Sequence, residues 1–469
     1  MRLSLAILEA IETFETLRTA RRADRIASRR AIAMMKTDFR GLPVTTGSDD
    51  AVAAIDRYAD AAIALKPGMD AIVAAAGAHR DCAMVQACAA SLFALSQSTA
   101  QSRHALPYLA RARERIDDLT ERERIFIDAA GAGCEGDFTR ALELYEQIAA
   151  RWPRDLLAAK IAEFHFFETG LADRQLRFME RIAPANPDSP QAQAMLAFAL
   201  ELNAMRSRAE EVARAALEQD PLTMWAQHCL AHVWAGDARI AEGIEAMQRY
   251  APTWRRFGQY IQSHNTFHLA TFYRAELDFA RVLDAYRRRV WGFQPDAVVE
   301  HTDAILLLWY IELAGGEVGP RWREIAPHVR AKAHEQVFPF LTSIYLFALE
   351  RAGESAEVDR ALDETRRHAE RQSGNAARVW GQVGLAQARG CVAYARGEYD
   401  RAAALLAPIL PEIAIGGGSD EQRGVFLESR LMSLIKAGRK DEASQALAAY
   451  IGARPVTKLD RRWLEMAAV

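Results

Sequence analysis

Two pairs of histidines are the residues of this sequence best suited to do chemistry. His228 and His232 stand four residues apart in QHCLAHVW, and His264 and His268 repeat that spacing in HNTFH. Residues four apart share one face of a helix, so each pair can present two neutral ring nitrogens together. Imidazoles in this arrangement suit a divalent transition metal such as zinc, iron, manganese or copper. The spacing therefore predicts either a metal centre or polar residues packed between helices.

Residues further along the chain would complete such a centre. Asp303 is the carboxylate that we expect to join the four imidazoles as a metal ligand, with His301 or Glu276 as alternatives. The chain lacks at this point the HExxH glutamate that acts as the base in zinc peptidases. Cys229 adjoins His228, but adjacent residues on a helix point about 100° apart, which favours a small buried cysteine over a nucleophile.

The same stretch of sequence also predicts a ligand pocket. Aromatic side chains are dense there, and arginine, glutamine and asparagine are interspersed among them. Most of the aromatics are expected to pack in the core. Aromatic walls with a few polar groups nevertheless suit a small, anionic organic ligand. The residues that we assign to ligand binding are Trp225, Arg255, Arg256, Tyr260 and Asn265.

An internal repeat predicts the elements that position these residues. Pro153, Pro187 and Pro221 lie thirty-four residues apart, each after a helical apolar pattern. That period is typical of the tetratricopeptide repeat, a pair of antiparallel helices that buries its apolar faces only by stacking on its neighbours. Strand patterns and hairpin turns are nearly absent. The sequence therefore predicts an all-α, tetratricopeptide-repeat-like α-solenoid of stacked antiparallel helix pairs.

The repeat register also predicts where the two histidine pairs lie. We take Gly236 as the turn glycine of its unit and Ala241 as the small residue of the second helix, with Ala280 as the equivalent of Ala241 in the next unit. Both pairs then lie on the packing stripe of a first helix, in neighbouring units. Because neighbouring first helices lie about 10 Å apart, we expect all four imidazoles to face one cavity.

Repeat regularity varies along the chain, and this variation divides it into four parts. The terminal segments at 3–17 and 463–469 should cap the array or pair with a second chain as a homodimer. The glycine-rich segment at 416–420 is expected to be a flexible joint, since it lacks the flanking strand and GK[ST] of a phosphate loop. The four predicted parts are an N-terminal helical cap at 1–48, irregular helical repeats at 49–124, regular repeats with the histidine cluster at 125–284, and C-terminal helical repeats at 285–469.

Composition limits the partners and the compartment. A net charge of −3 and a pI near 6.4 give no global reason for a nucleic acid or an anionic membrane as a partner. The basic run at 18–30 is expected to be a solvated helix face. No apolar run approaches the ~20 residues that cross a bilayer, and the 5 cysteines form no CxxC motif. We therefore expect a cytoplasmic protein with reduced thiols, no nucleic-acid partner and no membrane partner.

Long stretches of the chain resemble one family of helical-repeat proteins. The run LTERERIFIDAAGAGCEGDFTRALELYEQIAARWP is followed in order by DPLTMWAQHCLAHVW, HNTFHLATFYRAELDFARVLDAY and HTDAILLLWYIEL. Over residues 38 to 450, this order and spacing resembles the family of tetratricopeptide repeat protein thirty-eight. The resemblance implies a curved α-solenoid without a settled biochemical role. It also implies family histidines matching His228, His232, His264 and His268, an acidic residue matching Asp303, and departures from the family pattern at Ala235, Thr266 and Thr342.

Two functional hypotheses follow, with a purely structural scaffold as a third alternative. The first is a helical-repeat binding protein whose histidine- and aromatic-rich pocket takes a small-molecule or peptide ligand. The second is a metal-dependent enzyme that acts on a small organic molecule, with the four histidines as metal ligands and Arg255 or Arg256 holding an anion. A scaffold explains the repeats but not the histidines. The usual role of such repeats places the binding protein first, whereas the local chemistry favours the enzyme.

Overall fold

The computed structural model describes residues 35–468. The apolar segment at 3–17, the basic run at 18–30 and most of the expected helical cap at 1–48 therefore lie outside the described residues. The described end of that cap contains a hairpin in place of a helix, in which β1 (Met35–Thr37) pairs antiparallel with β2 (Pro43–Thr45). Strands of three residues are too short to produce a periodic pattern, which explains why the sequence did not predict them.

Helices make up most of the rest of the described chain. In chain order they are α1 (Asp49–Ala64), α2 (Ala71–Ala78), α3 (Ala83–Ala94), α4 (Thr99–Ser102), α5 (Leu106–Arg113), α6 (Glu121–Cys134), α7 (Phe138–Arg151), α8 (Leu156–Thr169), α9 (Ala172–Ile182), α10 (Pro190–Leu202), α11 (Arg206–Gln219), α12 (Met224–Gly236), α13 (Ile240–Trp254), α14 (Gln259–Ala275), α15 (Phe279–Ala285), α16 (Val298–Leu313), α17 (Arg321–Val329), α18 (Pro339–Arg351), α19 (Ser355–Arg371), α20 (Gly374–Ala377), α21 (Leu385–Ala395), α22 (Tyr399–Leu406), α23 (Asp420–Lys436), α24 (Lys440–Ile451) and α25 (Lys458–Ala468). Short 3-10 turns lie at Arg103–Ala105, Ile116–Asp118, Ala183–Ala185, Lys332–His334 and Leu410–Gly416, and π-helical turns at Tyr286–Val290 and Arg378–Gly384.

The helices stack as the thirty-four-residue period predicts. From α10 to α14, each first helix packs against its own second helix and against the first helix of the next unit, as α10 does against α11 and α12. Pro153, Pro187 and Pro221 occupy the equivalent turns that precede α8, α10 and α12. These turns contact one another, since Asn186 Nδ2 donates to the Pro153 carbonyl at 2.8 Å. The fold is therefore an all-α solenoid of tetratricopeptide-repeat-like helix pairs.

The predicted register of the histidine units is displaced by two residues. The left-handed turn residue between α12 and α13 is Ala238, with φ of 54°, and not Gly236. The small residue of α13 is consequently Gly243, whereas Ala241 is exposed. A Cβ on Gly243 would lie 2.5 Å from Phe272 Cζ, so the helices approach more closely there than an alanine allows.

The following unit is displaced in the same direction. Its turn residue is Leu277, with φ of 62°, and the residue that packs five positions later is Val282, while Ala280 is exposed. Both units carry a non-glycine residue at a position where φ is positive, which is uncommon. The four-residue spacing of each histidine pair does not depend on this register.

Several first helices are buried on every side. All residues from Met224 to Trp234 in α12 and from Pro339 to Leu349 in α18 are buried. A helix on the rim of an open groove would leave one face in water. The inner side of this solenoid is therefore largely filled by the chain itself.

Contacts between distant segments close the solenoid on itself. Gly258 N donates to the Leu65 carbonyl at 2.9 Å, and Gly418 N donates to the Phe167 carbonyl at 3.1 Å. Glu335 accepts hydrogen bonds from Thr99 N at 2.7 Å and from the Ser98 hydroxyl at 3.0 Å. These contacts bring the N-terminal helices and the segment before α23 against the central repeats.

A buried ion pair holds the C-terminal helices against the centre. The Arg274 guanidinium on α14 pairs with the Glu428 carboxylate on α23, and Arg274 Nε donates to the Tyr310 carbonyl at 2.8 Å. Tyr450 on α24 donates to Glu428 at 2.9 Å. Trp463 on α25 is fully buried, so this helix packs within the chain, as the capping alternative expects. None of the described helices is both long and apolar enough to span a bilayer.

Candidate metal centre

The four histidines meet in the space between α12 and α14. The ring centroid of His228 lies 4.7 Å from that of His232, 4.9 Å from that of His264 and 4.8 Å from that of His268. The His268 ring is also 4.7 Å from the rings of His232 and His264. Each of these residues is at most 6% exposed. The structure therefore brings together all four histidines that the sequence predicts to converge.

A carboxylate on α16 orients His264. Asp303 Oδ1 lies 2.8 Å from His264 Nδ1, and Asp303 Oδ2 accepts a hydrogen bond from the Ser263 hydroxyl at 2.8 Å. Asp303 was expected to be a metal ligand, but its two oxygens are engaged by His264 and Ser263, and it belongs to none of the groups of described side chains that could hold a cation. An acceptor at Nδ1 places the proton there and leaves the Nε2 lone pair free. Asp303 is a positioning residue for His264.

His268 points the corresponding nitrogen at His264. The two Nε2 atoms are 3.3 Å apart. On the other side of the ring, Glu421 Oε2 lies 2.6 Å from His268 Nδ1, although it is too far from the N–H direction to form an aligned hydrogen bond. Burial lowers the pKa of His268 to about 4 even though Glu421 opposes the shift. His268 is therefore neutral near pH 7.

Stacking holds His228 in place, and neither of its ring nitrogens has a hydrogen-bond partner within the described chain. The Trp225 ring stacks on it at 4.2 Å with an interplanar angle of 13°. Trp225 is fixed in turn by a hydrogen bond from its Nε1 to Glu163 Oε1 at 2.8 Å. Burial, followed by the charges of the other imidazoles, lowers the pKa of His228 well below its usual value. Its lone pair is thus available to a cation.

His232 differs from the other three because carboxylates surround it. Its Nδ1 lies 3.1 Å from Asp420 Oδ1 and 3.4 Å from Glu201 Oε2, and its Nε2 lies 3.9 Å from Glu421 Oε2. Burial alone would lower the pKa of His232, but Glu201 and Asp420 raise it well above its usual value. Burial and then the nearby Asp420 raise the pKa of Glu201 to about 7.

The three acidic residues were missed because no local pattern connects them to the histidines. Asp420 and Glu421 begin α23, where Ser419 and Gln422 form a capping box, and Asp420 is 188 positions from His232 in sequence. The glycine-rich segment before them was expected to be a flexible joint, yet a Cβ on Gly417 would lie 2.6 Å from a Phe338 ring carbon. Tight packing of these glycines delivers the two carboxylates to the cluster, and the capping box was the only local signal.

The side chains form three overlapping groups that could hold a cation. Within each group, one donor atom per residue lies within 4.8 Å of the others. Several of these donors, including both His228 nitrogens and both Glu201 oxygens, have no hydrogen-bond partner in the described part of the chain. The groups are His228 with His264 and His268, His232 with His268 and Glu421, and Glu201 with His232 and Asp420.

The residues assigned to ligand binding are only partly brought to the cluster. Trp225 stacks on His228, and the Tyr260 ring lies 6.1 Å from His264. Arg255 and Arg256, by contrast, are exposed on the loop between α13 and α14, so they do not line a buried pocket. The side chains that are buried at this point are those on either side of them, Trp254 and Phe257.

Four other candidates lie outside the cluster. Asn265 is buried, and it faces about 100° away from His264 because the two are adjacent on a helix. His301 Nε2 lies 2.7 Å from the Pro295 carbonyl, and Glu276 pairs with Lys458. Burial raises the pKa of the Cys229 thiol well above its usual value, in keeping with a packing role.

No protein-family model matches the chain. The solved structures that resemble it include a monomeric mutant of IFIT1 with Gppp-AAAA, at a TM-score of 0.41 and 14% identity over 94% of this chain and 99% of that one. Another is the human IFIT1 dimer with m7Gppp-AAAA, at a TM-score of 0.40 and 14% identity over 90% of this chain and 96% of that one.

These structures correct one expectation drawn from composition. Capped oligonucleotides occur in them, so the exclusion of nucleic acid as a partner was wrong. The physical reason is that a partner meets local charge and not the net charge of −3. Arg255 illustrates the difference, since it is exposed beside Arg289 and lowers the pKa of that half-buried guanidinium, after burial itself.

Proposed function

We propose that this protein binds a transition-metal ion through His228, His264 and His268 and uses it to act on a small organic molecule. The observation that carries the proposal is the 3.3 Å separation of the His264 and His268 Nε2 atoms while Asp303 and Glu421 approach the opposite nitrogens. The contact with Asp303 leaves the Nε2 lone pair of His264 free, and His268 Nε2 lies at the separation expected of a second ligand around one ion bound at about 2.0–2.1 Å. A cation at this point would be coordinated by both nitrogens in a buried space.

The donor set fits a metal ion with an open coordination position. Three neutral imidazoles leave one tetrahedral position for water or substrate, as in catalytic zinc sites, and such an ion lowers the pKa of its bound water to about 7. Asp303 acts as the carboxylate partner that commonly fixes the orientation of a metal-binding histidine. These features support hydrolysis or hydration by a metal-bound water as the reaction class.

Access to the centre is restricted. The histidine side chains are buried, whereas the side chains of Asp420 and Glu421 are 38% and 17% exposed. A small molecule that reaches the cluster beside these two residues fits this opening better than an extended peptide does. The all-round burial of α12 and α18 also supports a small-molecule ligand over a peptide held in an open groove.

Three finer expectations belong to this proposal. Membership of the tetratricopeptide repeat protein thirty-eight family rests on the order and spacing of the quoted motifs. A relative with the same four histidines would be expected to share the centre. A cytoplasmic location and a homodimer stay predictions; fractionation of tagged cells and light scattering are the measurements that decide them.

Metal content tests the binding half of the proposal. We expect the protein, purified without chelator, to contain at least one stoichiometric transition-metal ion by mass spectrometry of the elements. His264→Ala and His268→Ala should lose it while their far-ultraviolet circular dichroism stays close to that of the wild type. His368→Ala is the matched control, because His368 is a half-buried histidine on α19, in contact with Trp380 and outside the cluster. A metal-free wild type, or equal metal in all four proteins, would contradict the proposal.

Turnover tests the enzymatic half. The wild type should hydrolyse members of a panel of chromogenic esters and phosphate esters, and His264→Ala should not. Chelation should abolish the activity of the wild type, and added Zn²⁺ or Mn²⁺ should restore it. If the protein contains the metal but hydrolyses none of these esters, it binds metal and the proposed enzymatic chemistry is wrong.

A further inference from the structure

We infer that Glu201, His232 and Asp420 form a second cation position next to the first, so that the centre takes two ions. This inference rests on the proposed metal centre and extends it to residues on α10 and α23. The three donor atoms lie close together, with His232 Nδ1 3.4 Å from Glu201 Oε2 and 3.1 Å from Asp420 Oδ1. Separations of this size are those of neighbouring ligands around one ion bound at about 2.0–2.2 Å.

Glu201 supplies the main reason to place an ion there. It is 1% exposed, and neither of its carboxylate oxygens has a hydrogen-bond partner within the described residues. Among residues 35–468, the arginine in ion-pair range is Arg206, whose Nε lies 4.0 Å from Glu201 Oε1. A buried carboxylate without partners is strongly destabilising unless a positive charge compensates it. Its Oε2 faces His232, where a cation would satisfy both groups.

The local charge favours a divalent ion over a protonated histidine alone. Glu201, Asp420 and Glu421 bring three carboxylates to His232, and an imidazolium would neutralise only one of them. Arg423 adds one positive charge near Asp420 and Glu201, although its guanidinium donates to the Gly418 carbonyl and to neither carboxylate, so one of the three negative charges is still uncompensated. Two carboxylates and one imidazole are a mixed oxygen and nitrogen set, which suits Mn²⁺ or Zn²⁺ better than a soft ion.

Glu421 connects the two positions. Its Oε2 lies 2.6 Å from His268 Nδ1 and 3.9 Å from His232 Nε2, so it contacts one ligand of each position through the ring nitrogen that does not bind the ion. The first position is nitrogen-rich and enclosed, whereas the second contains the partly exposed Asp420. We therefore expect the second ion to bind more weakly and to exchange faster.

Stoichiometry and its dependence on single residues test the inference. The full-length protein is stripped with chelator, titrated with Mn²⁺ and with Zn²⁺, and its bound metal is counted after gel filtration; electron paramagnetic resonance follows Mn²⁺. Wild type should bind two equivalents. Glu201→Gln and Asp420→Asn should each bind one, and His264→Ala should lose the tighter one. Asp420→Asn tests the same position at a partly exposed residue, so the result does not depend on whether the buried Glu201→Gln variant folds.

Glu168→Gln is the matched control. Glu168 is 2% exposed and contacts a buried histidine, His165, at 2.8 Å, but that pair belongs to none of the groups that could hold an ion. The Glu168→Gln variant should retain both equivalents of bound metal. A wild type that binds one equivalent, unchanged by Glu201→Gln and Asp420→Asn, overturns the second position and leaves the proposed function standing. A single equivalent lost in Glu201→Gln but retained in His264→Ala overturns the first position instead.

Discussion

The four histidines of the two HxxxH pairs differ because different groups face each ring. His264 has a carboxylate at Nδ1 with hydrogen-bond geometry, and His268 has one at close range without that alignment. His228 is stacked on Trp225, and His232 has carboxylates on both sides. The chemistry of the cluster therefore depends on residues outside the two HxxxH pairs.

Replacing Asp303 by Asn should weaken the first metal without abolishing its binding. The change removes the negative charge that holds the His264 proton at Nδ1, and such partners typically contribute about 10- to 100-fold in metal affinity. Competition with a chromophoric chelator measures the affinity. Ser263→Ala is the control, because it removes a hydrogen bond to Asp303 and leaves the carboxylate in place, so its effect should be smaller. Equal affinity of wild type and Asp303→Asn would contradict a positioning role.

His301 gives the stability of the protein a pH dependence that is separate from the metal ligands. Burial lowers its pKa from 6.5 to about 4, opposed by the contact of its ring with the Pro295 carbonyl. The unfolded chain takes up a proton at this residue between those values and the folded chain does not, so stability is present above pH 6.5 and falls as the pH drops toward 4. The loss amounts to at most about 3 kcal/mol.

Urea unfolding of metal-free protein at pH 7 and pH 5 measures this effect. His301→Gln should lose less stability than the wild type between the two pH values, since it has no titrating ring. Comparing the change with pH, and not the absolute stability, separates the titration from any packing defect of the variant. An identical pH dependence in the two proteins would exclude His301 as a contributor.

How much of the site could be predicted from the sequence depends on the distance between its parts along the chain. The histidines could be found because a four-residue spacing on two neighbouring helices is a local pattern. Asp303 could be recognised as part of the site, but the sequence could not show that it contacts Nδ1 of His264. Glu201 and Asp420 reach the cluster only through the packing of α10 and α23, which no spacing in the sequence reports.

At the scale of elements, the close approach of helices depends on which small residue faces the neighbouring helix. The thirty-four-residue period predicted the helix pairs correctly, because Pro153, Pro187 and Pro221 mark equivalent turns. It misplaced the turn between α12 and α13 because Ala238 adopts a positive φ that glycine usually provides. Gly236 was therefore predicted as the turn residue, whereas Gly243 occupies the position where α13 approaches α14 closely.

Gly243→Ala should destabilise the pair formed by α13 and α14. The added Cβ would lie 2.5 to 2.8 Å from three atoms of the Phe272 ring, and Phe272 is 1% exposed, so the ring has little room to move. Overpacking of this kind costs about 1–3 kcal/mol. Chemical denaturation followed by circular dichroism measures it.

Gly77→Ala is the matched control, and the opposite sign is expected. Gly77 lies in the exposed part of α2, and a Cβ added there would meet no neighbouring atom within 4 Å, so alanine gains helix propensity of about 0.5–1 kcal/mol without a clash. If both substitutions stabilised the protein, the close approach at Gly243 would not be a feature of the folded state.

At the scale of the whole molecule, the solenoid is closed and its centre depends on its C-terminal end. Gly418 N bonds to the Phe167 carbonyl, and the Arg274 and Glu428 pair fixes α23 against α14. Since Asp420 and Glu421 begin the same helix, the docking of α23 and the composition of the cluster are coupled. An open solenoid of independent repeats would have no such coupling.

Glu428→Gln should show this coupling. It leaves the Arg274 guanidinium buried without a counter-charge, which costs about 3–5 kcal/mol, and it weakens the contact from Tyr450. Amide hydrogen exchange should rise in α23 and α24, and the metal that depends on Asp420 should bind more weakly. Glu442→Gln removes an exposed pair with Arg439 and should change neither quantity, because exposed pairs contribute about 1 kcal/mol or less. Faster exchange in Glu428→Gln with unaltered metal affinity would mean that the cluster does not depend on the docking of α23.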